Sequence, residues 1–208
     1  MIQHTAALAR TLLLLDAADQ ADISPILGRD AHFVAYLTEA LAPSWGADGQ
    51  TLSMLKSGTG PFFRDLQQSL DELVIMGVAR VEDFSFQFGA DGWRLHASYF
   101  LNRSVANPII ETILRFPEEQ SVSSLMIEIS LGVAGVDVGA LISSDVLLRD
   151  GRTSAGRLIE FRDSTGANVA SNVANYFGES MPDGGGASPG EKVGLYMALL
   201  RKRADGAA

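Results

Sequence analysis

The chain has 208 residues, which is enough for one or two modest domains with a hydrophobic core. Its 47% hydrophobic and 20% charged residues are typical of a globular protein and exclude a disordered segment. A net charge of -9 argues against a protein that coats nucleic acid, and the absence of cysteine excludes disulfides, cysteine-ligated zinc, iron–sulfur clusters and thiol catalysis.

The sequence contains no evident targeting or membrane segment. The apolar run Leu12 to Leu15 is similar to the core of a signal peptide, but Asp16 and Asp19 close it and no basic segment precedes it. The longest uncharged stretch, Ser164 to Gly178, is too short to span a bilayer. We therefore expect a cytoplasmic, bacterial-type protein without membrane contacts.

Two helices are predicted in the first part of the chain. Leucines at helical spacing predict the first helix from Thr5 to Asp16. Ser24 and Pro25 fit the N-cap and the first position of a second helix that continues to about Ala42. The segment Pro43 to Gly60 is rich in Gly, Ser and Thr, which is typical of a loop with room for a short strand.

The most regular pattern follows this loop. A third helix is predicted to begin at Gly60-Pro61 and to end at Gly77, with an apolar face at helical spacing. Two strands come next, Val78 to Phe88 and Trp93 to Leu101, and alternating phenylalanines in the first are typical of a half-buried strand. We expect the phenylalanines of the hairpin to face the leucines of the third helix: Phe84, Phe86 and Phe88 against Leu66, Leu70 and Leu73. Three helices followed by a hairpin predict a winged-helix-like domain over residues 1–103.

Residues 104–208 are predicted to form a helical domain packed on the first. Helical spacing indicates helices from Ser121 to Val133, Asp137 to Leu148 and Ala167 to Phe177, although the Ile and Val content of Ser124 to Val133 also permits a strand. Gly156 to Phe161 is predicted as a short strand. Ser188 to Glu191 has the spacing of a capping box before the last helix. The predicted fold class is mainly α with a small β-hairpin (α+β).

The third helix occupies the position that a winged-helix protein uses to read DNA. Its one arginine stands against three carboxylates, so phosphates would repel it, and only its two glutamines are suited to read bases. This balance favours a protein-binding surface. Its candidate contact residues are Arg64, Gln67, Gln68 and Asp71.

Three asparagines form the most unusual pattern of the second half. Asn168, Asn172 and Asn175 share one predicted helix face, although asparagine is a mediocre helix former. They are either a cap followed by two solvated residues or a polar docking stripe, with Tyr176 as an aromatic contact beside it. The apolar, cation-poor segment Leu125 to Leu148 must meet either the protein's own core or another chain, and we expect this half to bind the larger partner.

The basic residues cluster once, in a stretch interrupted by Asp150 and Glu160: Arg149, Arg152, Arg157 and Arg162. A solvated loop with local ion pairs accounts for such a cluster, and a contact with phosphate or DNA is the functional alternative.

The sequence shows no pattern that specifies a catalytic or cofactor site. It lacks a nucleophile elbow and a Walker-type glycine loop. His4, His32 and His96 are not at metal-ligand spacing. We therefore predict no catalytic residues, no metal and no cofactor.

The segment Lys56 to Ala79 combines a Gly-Pro-Phe turn, a helix with a leucine-rich face and the ending Met-Gly-Val-Ala. An asparagine-containing helix, Asn168 to Phe177, precedes Ser-Pro-Gly-Glu-Lys-Val at Ser188 to Val193 and an amphipathic helix with a basic end. In these features, which cover about half of the chain, the sequence resembles the middle component of ABC-three-component systems. That family includes the accessory subunit of Lamassu-type anti-phage operons.

The resemblance implies a small non-catalytic subunit that links an SMC-like ATPase to an effector nuclease in antiviral defence. Such an adaptor would act through protein contacts and touch DNA only indirectly or weakly. The alternative is a winged-helix transcriptional regulator that reads DNA itself, and a hydrolase with an unrecognised site is a third, weaker possibility.

Overall fold

The computed structural model describes residues 2–47, 49, 53–57, 60–89, 92–145, 158–160, 169–180 and 187–206. These residues form helices for the most part, together with two small sheets in which every strand pairing is antiparallel. The predicted class, mainly α with a small amount of β-structure, is confirmed.

In chain order, the helices are α1 (Ile2–Gln20), α2 (Gly28–Trp45), α3 (Arg64–Ile75), α4 (Arg103–Ile113), α5 (Pro117–Val133), α6 (Val138–Ser144), α7 (Val169–Glu179) and α8 (Pro189–Asp205). The strands are β1 (Ile26–Leu27), β2 (Ser53–Ser57), β3 (Gly60–Phe63), β4 (Ala79–Gly89), β5 (Gly92–Leu101) and β6 (Leu158–Glu160).

The first sheet has the strand order β1–β5–β4, and β4 and β5 form the predicted hairpin. A bulge interrupts their pairing between Glu82 and Ser85, where Asp83 adopts a left-handed φ of 51°. β1 pairs with β5 only at Tyr99 and Ser98. The outer part of the hairpin therefore extends beyond the third strand, and β4 is an outer strand of this sheet.

The start of α2 differs from the prediction. Ser24 and Pro25 are joined by a cis peptide and lead into β1, and α2 begins only at Gly28. The difference is due to a contact that is distant in sequence, because Ile26 is buried and pairs as a strand residue with Tyr99.

The start of α3 also differs, since Gly60–Phe63 forms a strand rather than a first helical turn. Phe63 is fully buried, and its backbone N–H donates to Nδ1 of His32 at 3.1 Å. Pro61, which has no N–H to give to a ladder, lies in an outer strand, where proline is tolerated. α3 starts at Arg64, and Gly77 with its left-handed φ of 70° follows its end as predicted.

The second sheet has the order β3–β2–β6 and joins two distant parts of the chain. β2 is the short strand for which the predicted loop has room, and β6 lies within the strand predicted from Gly156 to Phe161. Its outer strand β3 packs against α2, and β6 of the second half joins β3 through β2.

A single hydrophobic core contains residues from both halves of the chain. α2 lies at its centre and packs against α5, α7 and α8. The cation-poor segment is helical as far as Ser144 and mostly internal: Leu125 and Ile129 of α5 and Leu141 of α6 are completely buried. Of the two alternatives for this segment, the structure therefore gives the protein's own core, with Leu131 as an exposed exception.

The last helix is fixed at its start and along its length. The predicted capping box is present, since the Ser188 N–H donates to Glu191 Oε2 at 2.7 Å and the Glu191 N–H donates to Ser188 Oγ at 3.3 Å. Arg201 donates to the carbonyl of Gly132 at 2.8 Å, which satisfies the C-terminus of α5. A side chain at Gly132 would come within 2.8 Å of Met197 Cγ, so this glycine permits the close approach of α5 and α8.

Two ion-pair groups attach α1 to the helices that follow the hairpin. Arg10 binds Glu119 of α5, with 3.0 Å between Nε and Oε2. Arg103 at the start of α4 binds both Asp16 and Asp19. These contacts agree with the extension of α1 to Gln20, beyond its predicted end.

Candidate functional site

The four candidate residues on α3 lie along one helix face. Arg64, Gln68 and Asp71 are exposed and Gln67 is half-buried. The opposite face carries the buried leucines Leu66, Leu70 and Leu73. With Asp65 also exposed, the outer surface of α3 is acidic.

Both glutamines of α3 already have partners within the protein. Nε2 of Gln67 donates to Asp71 Oδ1 at 2.9 Å and to the Tyr99 hydroxyl at 3.1 Å. Nε2 of Gln68 donates to Glu72 Oε1 at 3.0 Å. The amide donors that would read base edges are therefore used to fix α3 and to connect it with β5.

Two buried titratable groups lie beneath this face. Burial raises the pKa of the Tyr99 hydroxyl, so the phenol that accepts from Gln67 keeps its proton at neutral pH. Burial also lowers the pKa of His32 to about 4, and the nearby Gln67 side chain opposes that shift in part. His32 is consequently neutral at pH 7, which leaves its Nδ1 able to accept from the Phe63 N–H.

The outer part of the β4–β5 hairpin presents a cluster of apolar side chains, here called the phenylalanine face: Phe84, Phe86, Phe88 and Leu95. Phe84 is 59% exposed and Phe86 61% exposed, and their rings meet edge to face at 5.4 Å. The prediction that the hairpin phenylalanines pack against the leucines of α3 is wrong. They lie on the part of the hairpin that extends beyond β1, so β4 and β5 have no third strand there among the described residues.

Acidic residues border the phenylalanine face. Glu82 and Asp83 immediately precede Phe84, and both are exposed. Arg80 is the exposed cation on the same strand, two residues further towards its start. The hairpin and α3 thus present apolar and acidic groups together.

The second predicted surface lies on α7, which packs against α2 and α8. Asn172 is exposed, and Asn175 is half-buried and accepts from Lys192 Nζ at 3.2 Å. Tyr176 is 66% exposed beside them. The structure therefore brings these three residues onto one face, on a different helix from the α3 candidates.

Five candidate residues lie outside the described residues: Asn168, Arg149, Arg152, Arg157 and Arg162. The asparagine cap and the phosphate-contact alternative remain predictions.

A buried carboxylate that sequence reasoning missed follows α6. Asp145 is fully buried and accepts from the hydroxyls of Tyr36 (2.8 Å) and Tyr196 (2.8 Å). Burial raises the pKa of both tyrosines, and the nearby carboxylate adds to that shift. The two neutral phenols connect α2 and α8 through one carboxylate, an arrangement suited to fixing the core.

Among the residues that the structure describes, no three His, Asp or Glu side chains are grouped so as to hold a metal ion. Nε2 of His4 lies 2.8 Å from Glu72 Oε2, whereas His32 is buried against Phe63. Within that part of the chain, no single helix is long and apolar enough to cross a membrane; the pair α5 and α6 has the length and composition together but bends by 103°.

One sequence signal could have indicated the exposed face. Glu82 and Asp83 interrupt the alternating pattern of β4 directly before Phe84, and charges in a strand are typical of an outer strand. No local pattern marks Asp145, because its partners lie 109 and 51 residues away in the sequence.

No protein-family model, no curated protein and no solved structure matches this chain.

Proposed function

We propose that this protein is a non-catalytic accessory subunit of an SMC-like ATPase–nuclease complex in anti-phage defence, and that it acts through protein–protein contacts. The family part of the proposal is supported by the resemblance carried by Lys56 to Ala79 and by the C-terminal helices. The interaction part is supported by the surfaces of α3, the hairpin and α7.

The proposal includes a winged-helix domain over residues 1–103. Three observations support it: α1, α2 and α3 precede the hairpin, β1 lies between the first two helices, and β1 pairs beside β5 to complete a three-stranded sheet. In this arrangement α3 would be the recognition helix and the phenylalanine face would lie on the wing. Residues 104–208 would be the helical domain packed on it.

The main support for a protein-binding function is the chemistry of the surface formed by α3 and the β4–β5 hairpin. Its exposed acids, including Asp65, Asp71 and Glu82, would repel phosphates, and Gln67 and Gln68 are held by partners within the chain. Phe84 and Phe86 expose apolar area of the kind that protein interfaces bury. A protein is therefore the favoured partner, and any contact with DNA would be weak or indirect.

The larger partner, the ATPase, is assigned to the α7 surface. Exposed Tyr176 is the aromatic anchor that such an interface would need, and Asn172 is a polar residue at its rim. Asn175, held by Lys192, would contribute less.

The test is co-purification with the SMC-like ATPase after co-expression. Asn172→Arg should weaken the complex at least about tenfold while the melting temperature stays nearly unchanged, because the side chain is exposed. Asn175→Arg is a less clean variant, since it places a second cation beside Lys192. Leu131→Ser, an exposed change on α5, is the matched control.

Two results would contradict this proposal. One is a complex that survives Asn172→Arg combined with Tyr176→Ser in a folded protein. The other is a gel shift by the isolated protein at physiological salt that Arg64→Ala abolishes, which would establish the alternative, a DNA-binding regulator.

A further inference from the structure

The phenylalanine face exposes apolar side chains that the described part of the chain does not cover. Phe84 and Phe86 are more than half exposed, and Leu95, opposite Phe86 on β5, is 37% exposed. A cluster of this kind costs solubility in an isolated protein and usually marks a contact surface. The question is which partner fits it.

Negative charge disfavours three kinds of partner. Glu82 and Asp83 would repel the phosphates of nucleic acid and the headgroups of an anionic membrane. Two copies of this chain would each carry a net charge of -9, which disfavours their association. A partner with cations next to apolar side chains has the complementary charge.

The backbone indicates how such a partner would bind. β4 is an outer strand, and among the described residues it pairs only with β5. The bulge and the acidic pair at Glu82–Asp83 limit strand pairing at the base of the hairpin, as they do in natural outer strands. From Phe84 to Gly89 the sequence of β4 contains no charged residue and no proline.

We infer that the outer edge of β4, from Phe84 to Gly89, binds an extended segment of a partner protein in which apolar residues alternate with lysine or arginine. The segment adds as a strand, so that its backbone pairs with β4 and its apolar side chains pack on the phenylalanine face. The cation at the end of the segment that lies next to Phe84 is then close to Glu82 and Asp83. The inference rests on the proposed function only in taking a protein as the ligand.

The experiment measures binding of the full chain to an acetylated and amidated octapeptide of alternating valine and lysine. Matched peptides with glutamate in place of lysine, or serine in place of valine, test charge and apolarity separately. The valine–lysine peptide should bind at least about tenfold more tightly than either, and its affinity should fall several-fold as salt rises to about 0.3 M.

Variants of the chain locate the binding site. Phe84→Ser combined with Phe86→Ser should weaken the peptide at least about tenfold, and Glu82→Lys should weaken it and reduce its salt dependence. Leu131→Ser, on α5, should leave it unchanged. Circular dichroism melting of each variant verifies that the fold is kept.

The inference is overturned if the three peptides bind alike, if none binds, or if the double variant binds as the native chain does. It is also overturned if the two phenylalanines instead mediate dimerisation, binding to a DNA duplex or binding to phosphatidylserine vesicles. The peptide measurement needs neither ATPase nor nuclease. A failure to bind the peptide would therefore not contradict the accessory-subunit proposal, which the co-purification test decides. A failed co-purification would likewise not contradict the peptide-binding inference.

Discussion

The α5–α6 segment and the outer half of β4 are both rich in apolar residues, but they lie in opposite surroundings. Leu125 and Leu141 are fully buried in helices that pack against α2 and α8, whereas Phe84 and Phe86 are mostly exposed. The difference arises from the neighbouring elements. Three long helices cover the first segment, whereas the outer part of the hairpin extends beyond the third strand of its sheet. Apolar residues thus stabilise the fold in one region and remain available for contact in the other.

The largest expected effect on stability is at Asp145, which lies at the end of the buried segment, directly after α6. Asp145→Ala should lower the free energy of unfolding by about 3–5 kcal/mol, because it removes two hydrogen bonds to a buried carboxylate and leaves two tyrosine hydroxyls without it. Urea denaturation measures the loss. Tyr196→Phe, which removes one of the two bonds, should cost about 1–2 kcal/mol. Equal stability of the alanine variant and the native chain would show that the carboxylate does not hold the core.

Leu125 tests the buried side of the comparison directly. Leu125→Ala should destabilise the protein by about 2–5 kcal/mol, since it leaves a cavity at a position that is completely buried. The measurement is again a urea titration, with the exposed Leu131→Ala as its control on the same helix. A loss below about 1 kcal/mol would place Leu125 in a looser environment than the structure gives it.

The pH dependence of stability tests the packing around His32. The folded pKa of about 4 is lower than the ordinary 6.5, so the unfolded chain binds the proton more tightly between these values. The contribution of the neutral imidazole is complete above pH 6.5 and is lost as the pH falls towards 4, by about 3 kcal/mol in total.

His32→Asn is the matched variant, because its amide oxygen still accepts from the Phe63 N–H but does not titrate. The difference in unfolding free energy between native chain and variant should shrink over that interval as the pH falls. A difference that stays constant from pH 7 to pH 4 would contradict the burial of the imidazole.

The smallest effect on stability is expected at the phenylalanine face. Phe86→Ser should change the free energy of unfolding by no more than about 0.5 kcal/mol, because its ring is mostly exposed. Thermal and urea unfolding both measure it. A loss of about 2 kcal/mol or more is the size expected for a buried aromatic residue. It would show that Phe86 belongs to the core and not to a contact surface.

The sequence predicts those elements whose pattern is long and local. α5, α8 with its capping box, and the β4–β5 hairpin follow from helical spacing, from Ser188 with Glu191 and from alternation. β1 has only two residues, so it carries no periodicity that could predict it. The strand Gly60–Phe63 depends on a bond from the Phe63 N–H to His32, 31 residues away, which no local pattern indicates.

For the candidate sites, too, the sequence predicts what depends on local spacing and not what depends on distant neighbours. Spacing places Arg64, Gln67 and Asp71 on one helix face, but it does not reveal that Gln67 is held by Tyr99 of β5. Alternation likewise indicates that Phe84 and Phe86 share a face, but it does not show whether another element covers that face. Burial is a property of neighbours, and these neighbours are distant in sequence.

The central claim is that the phenylalanine face is exposed in the free protein and is covered by a partner segment. A single fluorinated phenylalanine placed at position 86, with one placed at the fully buried position 63 as reference, tests both parts by fluorine NMR. We expect the resonance at 86 to respond to exchange of H₂O for D₂O and to move when the valine–lysine peptide is added, while the resonance at 63 does neither. A resonance at 86 that is insensitive to both the solvent and the peptide would contradict the claim.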